Sequence, residues 1–246
     1  MTDLESLVPP YEPAADTLAF AGKAALTMVP IVGSVAAETL AHALATRQAE
    51  RQHEFDVAIA RALAETIERL DQNITVEDIV QSDEFIAAVT RAQRTAAETA
   101  SQQKRHRLAA AVAHAGRWAG FSVSEREQFT RLVDDFDEMH VWLLHYFTDP
   151  AAWLKARGLY EQHSNIYMGG IDGPLGSALG LDGSVWGAPV RQAAADLERA
   201  GLASIPLGTI MTAQGIFDPR TNGKGQRFLA FINEPNSLAA EPPEAL

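Results

Sequence analysis

The sequence contains no cysteine. This absence excludes disulfide bonds, thiol nucleophiles and cysteine-ligated metal sites, and it fits a reducing compartment. Basic side chains are also scarce, because 20 Lys and Arg stand against 32 Asp and Glu for a formal net charge of −12. An acidic chain lacks the broad positive field that draws proteins onto nucleic acid or anionic lipid. The N-terminus has no basic region of the signal-peptide type, so we expect a cytoplasmic protein.

Catalytic and nucleotide-binding motifs are missing as well. The glycines between 169 and 183 form neither a phosphate loop nor a G-x-G-x-x-G fingerprint. The nucleophile elbow G-x-S-x-G and the zinc motif H-E-x-x-H are also absent. We therefore expect no enzymatic activity, no cofactor and no metal. A site assembled from residues that are distant in sequence is the alternative that remains open.

No apolar run is long enough to span a bilayer. The longest tract, Ala24–Leu40, has only 14 uncharged residues between Lys23 and Glu38, whereas a spanning helix needs about 18 to 20. Two interpretations remain: a helix-turn-helix that packs in the core, or a hairpin that contacts a membrane only after a trigger. The residues of this hairpin are Met28, Pro30, Ile31, Val32, Gly33 and Val35.

Helical periodicity dominates the first two thirds of the chain. Ser34 can cap an amphipathic helix of some 35 residues, in which apolar side chains recur every three or four positions. Further helix-start signals are Thr75 with Asp78, a cap at Ser82 or Asp83, and the pair Asp149-Pro150. We expect the segment 124–127 to be a capping box that opens one continuous helix through Phe147.

The composition changes between Ser164 and Gly187, where seven glycines occur in 24 residues. A glycine-rich stretch predicts a linker, because many glycines raise the entropy cost of ordering the chain. Beyond it we expect a helix over 189–200, a strand over 202–212 and a final helix or strand over 225–233. The expected regions are an extended arm at 1–13, a helical domain at 14–158, a linker at 159–186, a compact module at 187–233 and a disordered tail at 234–246.

Three parts of the chain together resemble a known family. They are the P-x-x-G hairpin at Pro30 and Gly33, the stretches KRHRLAAAVAHAG and LLHYFTDPAAWL, and the tail DLERAGLA…MTAQG…GQRFLAFI. In these features the chain resembles the abortive-infection alpha-type (Abi-alpha) proteins, over most of residues 18–232. The resemblance implies a mainly α fold, with a multi-helix N-terminal bundle and a small C-terminal winged-helix-like α+β module. It supplies no catalytic motif to transfer.

Two groups of basic residues are candidate contact sites. The run Lys104, Arg105 and Arg107 lies in an otherwise neutral helix, where a solvated face or an internal salt-bridge surface is the favoured interpretation. A contact with a partner protein, nucleic acid or lipid headgroups is the alternative. Arg191, Arg220 and Lys224 lie in the C-terminal module. In a winged helix Arg220 and Lys224 would contact DNA phosphates from the wing, and Arg191 would be one of the few side chains able to read bases.

His140 and Asp137 form part of the densest titratable cluster. They are three residues apart, so one helix face carries both, as in a metal pair. No second ligand motif accompanies them, and we favour a histidine packed at the edge of the core. The overall expectation is a non-enzymatic bacterial effector of phage defence or stress that acts by protein binding or self-association, with triggered membrane contact as an additional state. A winged-helix transcriptional regulator is the alternative.

Overall fold

The computed structural model describes residues 8, 34–69, 75–165, 167–181, 187–233 and 241–243. These residues are 70% helical and contain one two-stranded antiparallel sheet, so the mainly α class is confirmed. The chain divides into two compact units, Met1–Thr130 (unit 1) and Arg131–Leu246 (unit 2). Within the described ranges the α-helices and strands are α1 Ser34–Arg69, α2 Val76–Val80, α3 Asp83–Glu98, α4 Gln102–Ala113, α5 Val123–Asp135, α6 Glu138–Tyr146, α7 Pro150–Ala156, β1 Met168–Gly169, α8 Asp172–Ala178, α9 Ala188–Arg199, β2 Met211–Thr212, α10 Ala213–Phe217 and α11 Gly223–Phe231.

Unit 1 is built around the long helix α1, which packs against α3 and α4. Its length of 36 residues confirms the helix predicted from Ser34. Phe55, Ile59 and Leu63 lie on one face at a spacing of four residues and are buried. On α4, Leu108 and Val112 are buried as well. The apolar periodicity therefore corresponds to the face that each helix buries.

Side-chain caps start several helices of unit 1. Thr75 and Asp78 form the predicted reciprocal capping box, and the hydroxyl of Ser82 accepts from the amide of Phe85. The predicted capping box at 124–127 is wrong. Ser122 and Glu125 form the box instead, because the Ser122 hydroxyl accepts from the Glu125 amide and the Glu125 carboxylate accepts from the Ser122 amide.

Unit 2 packs α6 against α9 and α11. The apolar core here includes Leu143 and Leu144 from α6, Leu197 from α9 and Phe228 from α11, all fully buried. α11 settles the helix-or-strand alternative for the final segment in favour of a helix. The side chain of Asn222 begins it by accepting from two backbone amides.

The expected continuous helix through Phe147 is wrong, because the chain leaves the helix between α5 and α6. Asp137 has extended backbone angles, and its carboxylate accepts from the amides of Met139 and His140. An aspartate that satisfies local amides in this way competes with helix continuation and starts a new helix. This break places His140 in the first turn of α6.

The glycine-rich stretch differs from the expected linker where it is described. It contains β1 and α8, and Ile171 and Leu175 are buried. β1 pairs with β2 in the register Met168↔Thr212 and Gly169↔Met211. The strand expected over 202–212 is reduced to its last two residues. Pro206, which has no amide hydrogen, lies within its irregular part.

The hairpin residues Met28, Pro30, Ile31, Val32 and Gly33 lie outside the described residues, and Val35 is described only as part of the backbone of α1. None of the helices within the described ranges is both long enough and apolar enough to cross a membrane.

Candidate functional site

The basic run on α4 faces largely into unit 1. Arg105 is buried, and its Nη2 lies 3.2 Å from Oε2 of Glu54 on α1. Its Nη1 lies 3.4 Å from the carbonyl oxygens of Thr99 and Ala100, at the end of α3. The internal salt-bridge interpretation is therefore confirmed for Arg105. This arginine joins three helices rather than presenting charge to a partner.

The other two cations of this run, Lys104 and Arg107, are also withdrawn at least partly from solvent. Arg107 is buried, and Lys104 is half-buried. A buried guanidinium is unable to reach a phosphate backbone without leaving its site. The three cations that sequence reasoning grouped as one contact patch therefore do not form an exposed patch.

Two of the three candidate cations of the C-terminal module also hold backbone carbonyls. Nη2 of Arg220 donates to the carbonyl oxygen of Gly215 and lies 3.2 Å from Sδ of Met211. Nζ of Lys224 donates to the carbonyl oxygen of Ala200 at 2.9 Å, at the C-terminal end of α9, where a positive charge is favourable. Arg191 is exposed on α9.

An apolar surface that the sequence did not indicate lies at the two-stranded sheet. It consists of Tyr167, Met168 and Ile210, which we call the ribbon surface. These residues are 92%, 67% and 72% exposed, respectively. Tyr167 immediately precedes β1, Met168 is the first residue of β1, and Ile210 immediately precedes β2, which pairs with β1, so all three residues lie at the sheet.

Hydrogen bonds hold the ribbon surface in place. The amide of Ala213 donates to the carbonyl oxygen of Tyr167 at 3.1 Å. The amide of Gly208, just before Ile210, donates to the Asp172 carboxylate at 3.1 and 3.2 Å. The two segments are therefore fastened to each other and to the start of α8. Two-residue strands are too short for an alternating sequence pattern, which explains why periodicity did not predict them.

A cleft of about 350 Å³ lies beside His140 in unit 2. The imidazole Nδ1 lies 2.6 Å from Oδ1 of Asp137, and Nε2 lies 3.6 Å from Oδ2 of Asp196 on α9. The ring also stacks on Phe136, with 4.5 Å between centroids and 8° between planes. The lining residues are Leu132, Asp135, Phe136, His140, Asp196, Arg199 and Ala200.

Both carboxylates beside His140 are biased toward the charged form. The hydrogen bond with His140 is the main cause that lowers the pKa of Asp137 below its usual value. For Asp196 the main cause of the lowered pKa is the hydrogen bond from Gln192, followed by the bond from Arg199. Since both ring nitrogens face carboxylate oxygens, the arrangement links α6 to α9. In the parts of the chain that the structure describes, no three His, Asp or Glu side chains are placed to hold a metal ion.

One serine has a histidine beside it, although no sequence motif indicated the pair. Nε2 of His163 lies 2.9 Å from Oγ of Ser177, and burial lowers the pKa of His163. A neutral imidazole is able to accept the hydroxyl proton. Among the described residues, however, no carboxylate orients the other ring nitrogen as in a catalytic triad. The pair connects α8 to the turn that precedes β1.

Comparisons with models of known protein families, with curated proteins and with solved structures found no match to this chain. The functional argument therefore depends on the sequence resemblance and on the geometry of the described residues.

Proposed function

We propose that this protein is a non-enzymatic effector of bacterial phage defence or stress that binds another protein through the ribbon surface. The observation that carries the proposal is the exposure of Tyr167, Met168 and Ile210 at one sheet. Scattered exposed apolar residues are ordinary on any protein, whereas neighbouring ones mark interaction surfaces. The assignment to phage defence or stress comes from the resemblance to the Abi-alpha proteins.

The residue types of the ribbon surface suit a protein contact. Tyrosine and methionine are enriched in interfaces. Tyrosine buries a large apolar area at a low cost in conformational entropy, and the flexible thioether of methionine adapts to irregular surfaces. Covering one large apolar side chain contributes about 1.5–3 kcal/mol. Two such side chains therefore supply enough free energy to change an affinity by a factor of ten or more. The backbone hydrogen bonds around them reduce the ordering that binding requires.

The alternative, a winged-helix regulator, has less support. In that interpretation α9 and α11 are the helices of a winged-helix-like C-terminal module, and residues 212–225 form the tip that carries its wing. Arg220 and Lys224 would then contact phosphates. Both donate to backbone carbonyls of unit 2, which leaves fewer cations for DNA, while affinity for DNA depends on many phosphate contacts. Labelled duplex DNA tests this alternative, since binding at low salt that falls as salt rises would favour it.

The proposed membrane contact depends on the hairpin around Pro30 and Gly33. Membrane contact stays a prediction, and it concerns a second conformational state that the protein would adopt only after a trigger. Val32→Asp or Val35→Asp is expected to abolish any toxicity, and only a folded, inactive variant supports the idea. Leakage of anionic vesicles is the direct measurement.

The central experiment removes the ribbon surface. Met168→Ser/Ile210→Ser is compared with Val80→Ser/Ile86→Ser, which changes two exposed apolar residues of unit 1 instead. We expect the ribbon variant to lose at least tenfold in the affinity-purified yield of its partner and to lose protection in a plaque assay against a phage panel. The control variant is expected to retain both.

The two parts of the proposal fail separately. A folded ribbon variant that captures the partner and protects as well as the unaltered protein refutes the ribbon surface. An unaltered protein that captures a partner through the ribbon surface but protects against no phage and under no imposed stress refutes the defence or stress role alone. Circular dichroism of each variant establishes that the helices are intact.

A further inference from the structure

An ion pair joins helix α7 to a segment near the C-terminus. Nη2 of Arg157 lies 2.8 Å from Oε1 of Glu241, across 84 positions of sequence. Two prolines, Pro242 and Pro243, follow Glu241 and are half-buried. We call Glu241, Pro242 and Pro243 the acidic proline segment. The contact lies entirely within unit 2 and does not involve the ribbon surface.

Arg157 lies on a fixed aromatic platform. Its guanidinium carbon is 3.8 Å from the centroid of the Trp153 ring, a distance at which cation–π attraction is favourable. Trp153 is buried and packs edge-to-face against Trp142 at 5.7 Å and against Tyr146 at 5.5 Å. Because the ring below is held by two other aromatic rings, the guanidinium has a defined position. Arginine stacked in this way still directs its N–H donors outward toward a carboxylate.

The two partners of the ion pair differ in how they are held. The side chain of Arg157 is 19% exposed, whereas that of Glu241 is 77% exposed. The arginine is thus part of the packed unit, and the glutamate approaches from the solvent side. A carboxylate held this way is exchangeable, because replacing it disturbs no core packing. Proline favours such docking, since its fixed φ leaves little backbone freedom to lose.

The geometry points to a peptide-docking site formed by Arg157 on Trp153, which takes an acidic, proline-containing segment and is occupied in cis by Glu241-Pro242-Pro243. The occupant supplies a carboxylate for the guanidinium, and the two prolines that follow it are half-buried. A separate peptide with the same chemistry competes with the tethered segment. Because the segment is tethered, its local concentration is high, and an outside ligand binds more weakly than its intrinsic affinity allows.

The test uses the full chain and a fluorescent peptide with the sequence of residues 237–246. Glu241→Lys removes the carboxylate of the cis segment while leaving the platform intact. We expect the peptide to bind this variant about three- to tenfold more tightly than the unaltered protein, as measured by fluorescence anisotropy. Asp218→Lys makes the same charge change at another exposed acid of unit 2 and controls for general electrostatic attraction.

Two further arms identify the residues that bind. The same peptide with glutamine in place of its first glutamate is expected to bind Glu241→Lys at least threefold more weakly. Adding Arg157→Gln to Glu241→Lys is expected to abolish binding. Since Arg157 covers Trp153, Arg157→Lys is the second variant, because it retains the charge and loses the planar fork. It is expected to fold normally and to bind several-fold more weakly.

Equal affinity of the peptide for the unaltered protein and for Glu241→Lys overturns the cis occupancy. If Glu241→Lys and Asp218→Lys raise the affinity for the peptide equally, the gain comes from the change in net charge, and the cis occupancy is overturned as well. Unchanged binding after Arg157→Gln or Arg157→Lys in the Glu241→Lys background overturns the site itself.

Discussion

Gly225 on α11 lies where the helix approaches the backbone of Leu202 most tightly among the contacts of this glycine. A Cβ placed there would lie 2.4 Å from the carbonyl oxygen of Leu202 and 2.7 Å from Cγ2 of Thr221. The nearer atom belongs to the backbone, and the amide of Asn222 donates to the same carbonyl at 3.0 Å. The helix therefore sits against the Leu202 backbone at a distance that only glycine permits.

Two effects of Gly225→Ala oppose each other. Alanine is favoured over glycine inside a helix by about 1 kcal/mol. Overpacking against a fixed neighbour costs about 1–3 kcal/mol, and here the neighbour is backbone that is itself hydrogen-bonded. Because this neighbour has little freedom to move, we expect a cost in the upper part of that range, about 2–3 kcal/mol, and therefore a net loss in the free energy of unfolding of about 1–2 kcal/mol. Gly223→Ala in the same helix is the matched control, because a Cβ at Gly223 meets no atom within 4 Å.

Hydrogen exchange of the amides in 223–231 reports the stability of unit 2 separately from unit 1. Gly225→Ala is expected to lower protection by about five- to thirtyfold, which corresponds to about 1–2 kcal/mol. Gly223→Ala is expected to leave protection unchanged or raise it slightly. Equal or greater protection in Gly225→Ala would mean that the backbone at Leu202 leaves room for a Cβ at position 225, which contradicts the steric effect.

Three further predictions concern charged groups. Glu54→Gln is expected to lower the free energy of unfolding by about 1 kcal/mol or less, because Glu54 is 56% exposed. Arg105→Ala is expected to lower it by about 2–3 kcal/mol, measured by urea unfolding, because packing and two carbonyl contacts are lost with the side chain. The lowered pKa values of Asp137 and Asp196 stabilise the fold above about pH 4, and this contribution is lost as pH falls through the folded pKa values; unfolding midpoints from pH 6 to 2 should decline less steeply in Asp137→Asn. Lys224→Met keeps the apolar stem and removes the donor to α9, so unit 2 should lose about 1 kcal/mol by hydrogen exchange.

The sequence predicts features that depend on nearby residues. The long helix α1 and the caps at Thr75 and Ser82 were recognised because periodicity and capping act within a few positions. The break at Asp137 was missed although its signal is equally local. An aspartate three residues before a histidine can form a metal-ligand pair with it, or it can cap a helix that begins between them. Apolar residues recur at helical spacing on both sides of Asp137, and this pattern suggested one uninterrupted helix. The extended backbone of Asp137 shows that the cap dominates.

Features that depend on distant residues were not predictable in the same way. Arg105 reaches Glu54 across 51 positions and Arg157 reaches Glu241 across 84. The ribbon surface needs the pairing of Met168 with Thr212. No pattern within a helix or strand encodes such partners, because they are selected only when the elements pack. The candidate sites are formed by these long-range contacts, which is why sequence reasoning located individual residues more readily than sites.

The internal use of cations changes how the charge of the chain should be understood. A net charge counts every basic side chain as if it faced solvent, yet Arg105, Arg220 and Lys224 donate to carbonyls or to a carboxylate within their own unit. Each of these bonds would have to open before the same N–H group could bind a phosphate. These three cations therefore offer a partner less positive surface than the composition suggests. Apolar contact at the ribbon surface thus has a stronger physical basis than attraction to nucleic acid.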